Sequence, residues 1–488
     1  MGRLSALVLA VVLALVPLGA VTVGAAGATG AADAASVAQS GPNPCVGTVT
    51  EQPDRATVLS IQGARGGDKT DAMVVSFAPD GGVIGVHDAS ANGRWWAYDV
   101  DRLATGDFLL PTTQDGHTVV EEIDAETGEH VSVRHFEGLH DTHDVDLING
   151  DELLMNDMGD EHNRVVVYNL TREEIVWEYR FDEHNDEFPR SGGGEYGTDW
   201  THNNDVERVE PGVFMVSVRN FDQVVAINRS TKEVVWKLGE TDDDSLLNLQ
   251  HNPDYTVNEQ GQPTVIVADS VNDRVAEYTR EGDEWNLTWS LVGGNLNEPR
   301  DADRLPNGNT LVSDRRGHRL LEVTPEGEVV WEVYGPWQPY DAERLGTIDE
   351  SSGPAMADAS VTGTHEMTGS ASPGATDFEA CYAHLENVTS TRLVPEDDPG
   401  PVVASGQGGG ETDGNDDDET PGDGGDGTDD GTGDEGTDEE TDDGSVLGTT
   451  TGGSSAFGAT ATPVILALLA LVLCGVGFAN WARGRNGR

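Results

Sequence analysis

The sequence predicts an all-β, six-bladed β-propeller in which one blade is closed jointly by the two ends of the repeat region. Three observations predict it. The middle of the chain repeats at a period suited to a four-stranded blade, the stretches between repeats read as short strands, and unused strands precede the first repeat.

The repeat shows in four segments that begin Thr142-His143, Thr201-His202, Gln250-His251 and Pro299-Arg300. In each, the second residue is followed three places later by an aspartate: Asp146, Asp205, Asp254 and Asp303. Tyr98 with Asp101, and Tyr340 with Glu343, extend the pattern at either end. The anchors Tyr98, His143, His202, His251, Arg300 and Tyr340 are thus spaced by 45, 59, 49, 49 and 40 residues.

Between anchors come runs such as VFMVSVR (213–219), QVVAINR (223–229) and EVVWKLG (233–239), then NTLVSDR (309–315), RLLEVTP (319–325) and EVVWEVYG (328–335). They are β-branched or aromatic and bounded by Gly, Asn, Asp or Pro, which is strand and turn chemistry. Trp177, Trp236, Trp289 and Trp331 recur in last strands and are expected to pack between blades. The aspartates three places after the anchors are expected to bond backbone amides.

TVLSI (57–61), MVVSF (73–77) and GVIGVHD (82–88) are left over before Tyr98, and strand character fades after Tyr340. One blade therefore takes three strands from the N-terminal side and its inner strand from the C-terminal side, which removes open edges. Six blades is the count, with seven the alternative if residues 346–392 carry strands. Cys45 and Cys381 flank the repeat and, outside the cell, could bridge that seam.

The ends read as targeting segments. Residues 1–35 form an export signal, with Arg3 before an apolar run and a small-residue exit. The propeller domain spans 45–392. Residues 395–455 form an acidic linker that cannot bury a core and is expected to be a disordered stalk. Residues 456–481 have the length and apolarity of a transmembrane helix, and the arginine-bearing tail 482–488 sets the C-terminus inside and the propeller at the cell surface. Sequons at Asn169, Asn228, Asn286 and Asn387 suit an exported glycoprotein.

The net charge of −60 over 488 residues argues against a nucleic-acid partner. Lysine is nearly absent, at positions 69, 232 and 237 alone, while carboxylates abound. That balance suits a halophilic protein, because molar salt screens carboxylate repulsion beyond about 3 Å.

In a propeller the first strand of each blade lines the central channel, so the anchors converge on one volume. Three imidazoles and an arginine there would repel one another if all were charged. The arrangement suits an anion, a metal or hydrogen-bonded core histidines. The arginine favours the anion, since its fork matches tetrahedral oxyanions.

The segments His202-Asn203-Asn204, Ser217-Val218-Arg219, Gln250-His251 and His143-Asp144-Val145-Asp146 resemble the active-site segments of the arylsulfate sulfotransferases, exported six-bladed propellers. The resemblance covers roughly residues 57–345. It implies a ping-pong reaction with an aryl sulfate donor and a phenolic acceptor, with His251 as nucleophile and His143 as general acid and base. It also implies that His202, Asn204 and Arg219 hold the sulfuryl oxygens. Arg300 joins them on the anchor pattern alone. Neither cofactor nor metal is required, and a neutral imidazole is a competent nucleophile near neutral pH. Two other readings stay open: a non-catalytic surface propeller that binds sulfated glycan or an envelope protein, and a metal-dependent hydrolase.

Overall fold

The computed structural model describes residues 43–401 apart from 160, 161, 242 and 348–350. Over them the chain forms a six-bladed propeller of antiparallel, four-stranded blades. Blade 1 is the shared one: its inner strand is Pro339–Arg344, followed outward by Thr57–Ile61, Met73–Phe77 and Val83–Asp88. Inner-to-outer order follows the sequence in the rest. Blade 2 runs Asp101–Arg102, Phe108–Gln114, His117–Ile123 and His130–Phe136, and blade 3 runs Val145–Ile148, Glu152–Gly159, His162–Asn169 and Glu174–Arg180. Blade 4 has Asn203–Glu210, Val213–Val218, Gln223–Asn228 and Val234–Gly239. Blade 5 has His251–Val257, Pro263–Asp269, Arg274–Glu281 and Glu284–Val292. Blade 6 has Pro299–Arg304, Thr310–Asp314, Arg319–Val323 and Val329–Tyr334.

The middle strands are buried on both faces, which explains their continuous apolar runs. Turns into the outermost strands reuse one device. Asp124, Asn169 and Asn228 each turn a side-chain oxygen back onto the amides two and three residues later, at 2.8–3.1 Å. Asn169 is 6% exposed and also donates to Asp151, so this sequon asparagine serves the turn.

The recurrent tryptophans join neighbouring blades, as expected. The indoles of Trp177, Trp289 and Trp331 donate to the carbonyls of Arg229, Pro325 and Pro79 in the following blade, at 2.7, 2.9 and 3.0 Å. Each apolar body thus fills the inter-blade gap while its one donor is satisfied.

Closure is reinforced at the seam of blades 6 and 1. Val46–Val49 adds a fifth strand to blade 6, and Cys45 is disulfide-bonded to Cys381 in the helix Ala375–Leu385. Both sulfurs lie in one cluster with Leu59 and Phe77 of blade 1 and Leu320 and Trp331 of blade 6. Residues 346–392 hold no seventh blade among the described residues. They supply Gly363–Glu366, which pairs parallel to the outer strand of blade 5, and the helix. The folded body also extends past 395, since Asp398 forms an ion pair with Arg102 of blade 2.

The signal at 1–35, most of the acidic linker and the segment 456–481 lie outside the described residues. Among the described residues no helix is long and apolar enough to cross a membrane.

Candidate functional site

Inter-blade stitching fixes the register of the inner strands. Asp99, Asp144 and Asp341 accept the amides of Val145, Val206 and Val100 in the next blade. Asp146 and Glu207, one step further out, accept those of Arg208 and Tyr255 at 3.3 and 3.0 Å. The first set lies one residue after each anchor and bonds the residue two after the next anchor. By that rule the blade 4 anchor is Asn204, and strand pairing agrees, since Asp205 opposite Ser217 matches Asp301 opposite Ser313. The ring is therefore Tyr98, His143, Asn204, His251, Arg300 and Tyr340, which corrects the expected third histidine in it. His202 sits two residues earlier with φ 45°, in the loop entering the strand.

His202 still reaches the site. Its ring meets His143 edge-on, with centroids 5.3 Å apart, and its Nδ1 lies 2.6 Å from Asp199 Oδ1. Burial lowers its pKa to about 4, against the opposing hydrogen bond of Asp199 and with help from Arg219 and His143. Asn204 is fully buried and donates through Nδ2 to the Gln250 carbonyl at 3.1 Å, immediately before His251. Its Oδ1 has no partner.

His143 is 4% exposed and stacks on Tyr98, with centroids 3.9 Å apart. Tyr340 Oη lies 3.3 Å from its Nδ1, and Asp141 Oδ1 lies 3.6 Å from its Nε2. Tyr98 donates to the same Asp141 oxygen at 2.5 Å. Burial pushes Asp141 up, but His143, Tyr98 and His202 outweigh it and hold it at about 2. Burial keeps both tyrosines protonated far above their usual range, so each remains a donor. Tyr98 and Tyr340 thus orient His143. His140, the other histidine near this loop, instead pairs with His117 at 4.9 Å between ring centroids.

His251 is 1% exposed. Its Nδ1 lies 3.1 Å from the Leu249 carbonyl and 3.0 Å from Ser270 Oγ, whose own proton goes to the Pro299 carbonyl at 2.6 Å. Two acceptors at Nδ1 favour the ring proton there and the lone pair on Nε2, while Arg300 Nη1, which can only donate, stands against both nitrogens. Burial holds the imidazole well below its usual pKa, and Arg300, Arg219, His202 and His143 add to that in this order. Four groups from blades 3, 4 and 6 thus act on one ring.

Arg300 Nη1 contacts both ring nitrogens of His251, and Nη2 bonds Glu298 at 3.1 Å. Its acidic partner is therefore Glu298. Burial pulls this guanidinium down to about 9. Arg219 bonds Asn220 at 2.9 Å through Nη1, and its buried Nε has no partner.

Sequence reasoning missed Arg315, which also binds Glu298, at 2.6 Å, and lies in the field of Arg219 and Tyr340. The signal was present: Ser313-Asp314-Arg315 of blade 6 parallels Ser217-Val218-Arg219 of blade 4, and both arginines leave the second strand. Ser270 leaves blade 5 in the same position. Asp141 and Asp199 were also missed, each in a loop just ahead of a histidine.

Beneath the ring, Asp99, Asp144, Asp205, Asn252, Asp301 and Asp341 surround a small axial cavity of about 20 Å³. Burial and mutual repulsion raise Asp144, Asp205 and Asp301 well above the carboxylate range.

Residues 102–259 match the family model described as arylsulfotransferase (ASST). The chain resembles the arylsulfotransferases. The matched stretch contains His143, His202, Asn204, Arg219 and His251, while Arg300, Arg315 and Tyr340 lie beyond it. No curated protein matches the chain. Among solved structures, a protein of unknown function from Bacteroides caccae is 11% identical, covering 64% of this chain and 97% of that one at a TM-score of 0.41. A catalytically inactive virginiamycin B lyase from Staphylococcus aureus with quinupristin is 10% identical, over 59% and 86%, at 0.37. The Swd1 β-propeller domain from Myceliophteria thermophila is 12% identical, over 62% and 92%, at 0.36. Likenesses this distant carry no chemistry over from these structures to an arylsulfotransferase-like chain.

Proposed function

We propose that this protein moves a sulfuryl group from an aryl sulfate to a phenol through a sulfohistidine on His251. The observation that carries the reading is the oriented His251 ring: Nδ1 held by Leu249 and Ser270, Nε2 bearing the lone pair, and two arginines and two more histidines acting on it.

In the first half-reaction Nε2 of His251 attacks sulfur and the bond from sulfur to the aryl oxygen breaks. The phenolate leaves with that electron pair and takes a proton from His143. To serve as acid, His143 enters this step as the imidazolium, with Nδ1–H facing the Tyr340 oxygen and Nε2–H facing Asp141, so giving one proton to the phenolate leaves a neutral ring. In the second half, His143 removes the proton of the acceptor phenol, whose oxygen attacks sulfur and releases His251. Arg300 and Arg219 donate to the sulfuryl oxygens, and His202, whose Nδ1–H is held by Asp199, joins them as a donor by taking up a proton on Nε2 together with the anion. Binding draws Arg300 from His251 onto those oxygens, which uncovers the lone pair and relieves a cation that burial disfavours. Donors already in place as charge shifts supply the main electrostatic stabilisation. Asn204 holds the strand that carries His251 through Gln250 and takes part in anion contact only by turning Nδ2 from that carbonyl.

The reaction would take place outside the cell, on a chain held by residues 456–481. The Cys45–Cys381 disulfide supports an oxidising compartment.

The deciding experiment incubates the full-length protein in high salt with 4-nitrophenyl sulfate, with and without a phenol. Acceptor-dependent nitrophenol release, a sulfuryl group trapped on the peptide containing His251, and loss of both in His251→Ala are expected. Sulfate binding with no release overturns transfer and leaves the non-catalytic surface propeller.

A further inference from the structure

The joint between blades 1 and 2 holds a second cluster, separate from the axial site. His87 comes from the outer strand of blade 1, Glu121 and His130 from the two outer strands of blade 2. Each offers one ligand atom, and these atoms lie within 4.8 Å of one another. From these positions we propose a binding site for a zinc-class divalent transition metal that clips blade 1 to blade 2.

The orientation of His87 carries the argument furthest. Its Nδ1 lies 3.3 Å from the Gly128 carbonyl, so Nδ1 holds the proton and Nε2 the lone pair. That Nε2 is buried with no hydrogen-bond partner, in a residue 5% exposed. A lone pair left free in such a place is costly unless something accepts it. A ring fixed by a carbonyl behind it, with its other nitrogen presented, is the usual arrangement of a metal-bound histidine. The carbonyl is itself fixed. Gly128 has φ +70°, and a Cβ there would stand 2.3 Å from the Thr391 carbonyl oxygen.

The other two ligands are in an arrangement that a metal resolves. His130 Nε2 contacts both Glu121 Oε2 and Arg94 Nη2, the first needing a proton on that nitrogen and the second a lone pair. A metal between Nε2 and Oε2 satisfies both ligand atoms without a proton. Glu121 is fully buried, and its Oε1 is held by Thr112 at 3.0 Å and by Arg94 Nε at 2.7 Å. Arg94 then acts behind the carboxylate, releasing His130 while keeping Oε1. Two imidazoles and one carboxylate suit tetrahedral zinc or cobalt better than calcium or magnesium. His130, with a side chain 31% exposed, opens the fourth position to solvent.

The test uses the full-length chain, purified without a polyhistidine tag and stripped with chelator. It is titrated with Zn2+ alone and, separately, with Co2+, whose visible absorption reports tetrahedral nitrogen ligation. One metal per chain is expected, with a higher thermal midpoint in Zn2+. His87→Ala and His130→Gln should each weaken binding by about 10–100-fold or more. Arg94→Gln should bind at least as tightly as the wild type, since it removes a cation from beside the metal. Should His87→Ala fail to fold, His130→Gln, at the partly exposed ligand, decides. No bound metal, or binding unchanged in His130→Gln (an adventitious ion only), overturns the site.

Discussion

Replacing Arg300 with methionine separates two effects that this side chain has on His251. As a cation it depresses the imidazole, second only to burial, and in the proposed reaction it would present donors to the sulfuryl group. Burial holds Arg300 at about 9, so it is still charged at neutral pH, at a cost of roughly 5 kcal/mol to its charged form. Losing a charge-assisted hydrogen bond to the sulfuryl oxygens costs roughly 1.5–3 kcal/mol, or about 10–150-fold in kcat/KM. The opposite sign applies to basicity. Without the cation the His251 pKa rises toward the ordinary value near 6.5, so the acid limb of kcat/KM moves up in pH. Stability is expected to hold, because a disfavoured buried cation is removed and Glu298 keeps Arg315 at 2.6 Å and Arg316. The assay is nitrophenol release from 4-nitrophenyl sulfate against pH, at saturating phenol, alongside thermal unfolding. An Arg300→Met protein with unchanged kcat/KM and an unmoved acid limb refutes both the anion role and the proposed nucleophile.

His143→Ala should slow transfer from sulfates of weakly acidic phenols far more than from 4-nitrophenyl sulfate, whose phenolate leaves without help; equal losses across a leaving-group series would argue against an acid there. Asp301→Asn should raise unfolding free energy by about 1–2 kcal/mol at pH 8, because Oδ2 of Asp301 is buried without a partner and faces Asp341 and Asp254. The raised folded pKa sets the sign: the penalty is absent below the ordinary value near 3.9 and grows as pH rises, so the gain should vanish in acid. Replacing both Cys45 and Cys381 by serine should lower urea stability by about 2–4 kcal/mol, since the bridge spans the ring closure.

The propeller was legible because its strands alternate with turns at blade spacing, and the seam because three strands had no blade of their own. The blade 4 anchor was not legible, for a specific reason. Asp205 aligns His202-x-x-Asp with His143-x-x-Asp, yet in the fold Asp205 lies one residue after the anchor instead of three. A slip of two residues returns every side chain to the same face of a strand, so hydrophobic alternation cannot detect it. The inter-blade bond from Asp144 to the Val206 amide does. Asp141 and Asp199 escaped because they stand in loops, outside any period. Arg315 escaped although its parallel with Arg219 was in plain sight, because attention to the inner strands hid a second funnel-facing position at the exit of each second strand.

Those two positions together explain how a repeating fold makes one asymmetric site. Below the anchors the ring is nearly uniform, five aspartates and Asn252, and three of those aspartates are known to stitch blade to blade. Uniformity there is what closing the ring requires. Among the anchors Asn204 shares that duty, through the Gln250 carbonyl, yet the set has diverged: tyrosines in blades 1 and 2, His143 and Asn204 in blades 3 and 4, His251 and Arg300 in blades 5 and 6. The exit positions diverge to match, with Ser270 orienting the histidine of its own blade and Arg219 and Arg315 adding charge beside it. Cations thus gather on the side of blades 4 to 6, while the aromatic pair and Asp141 gather around His143. Such polarity suits a reaction in which a sulfonate is held on one side and a proton moves on the other. Beneath them, burial and mutual repulsion push the Asp144, Asp205 and Asp301 carboxyls well above their usual range, which disfavours negative charge in that layer.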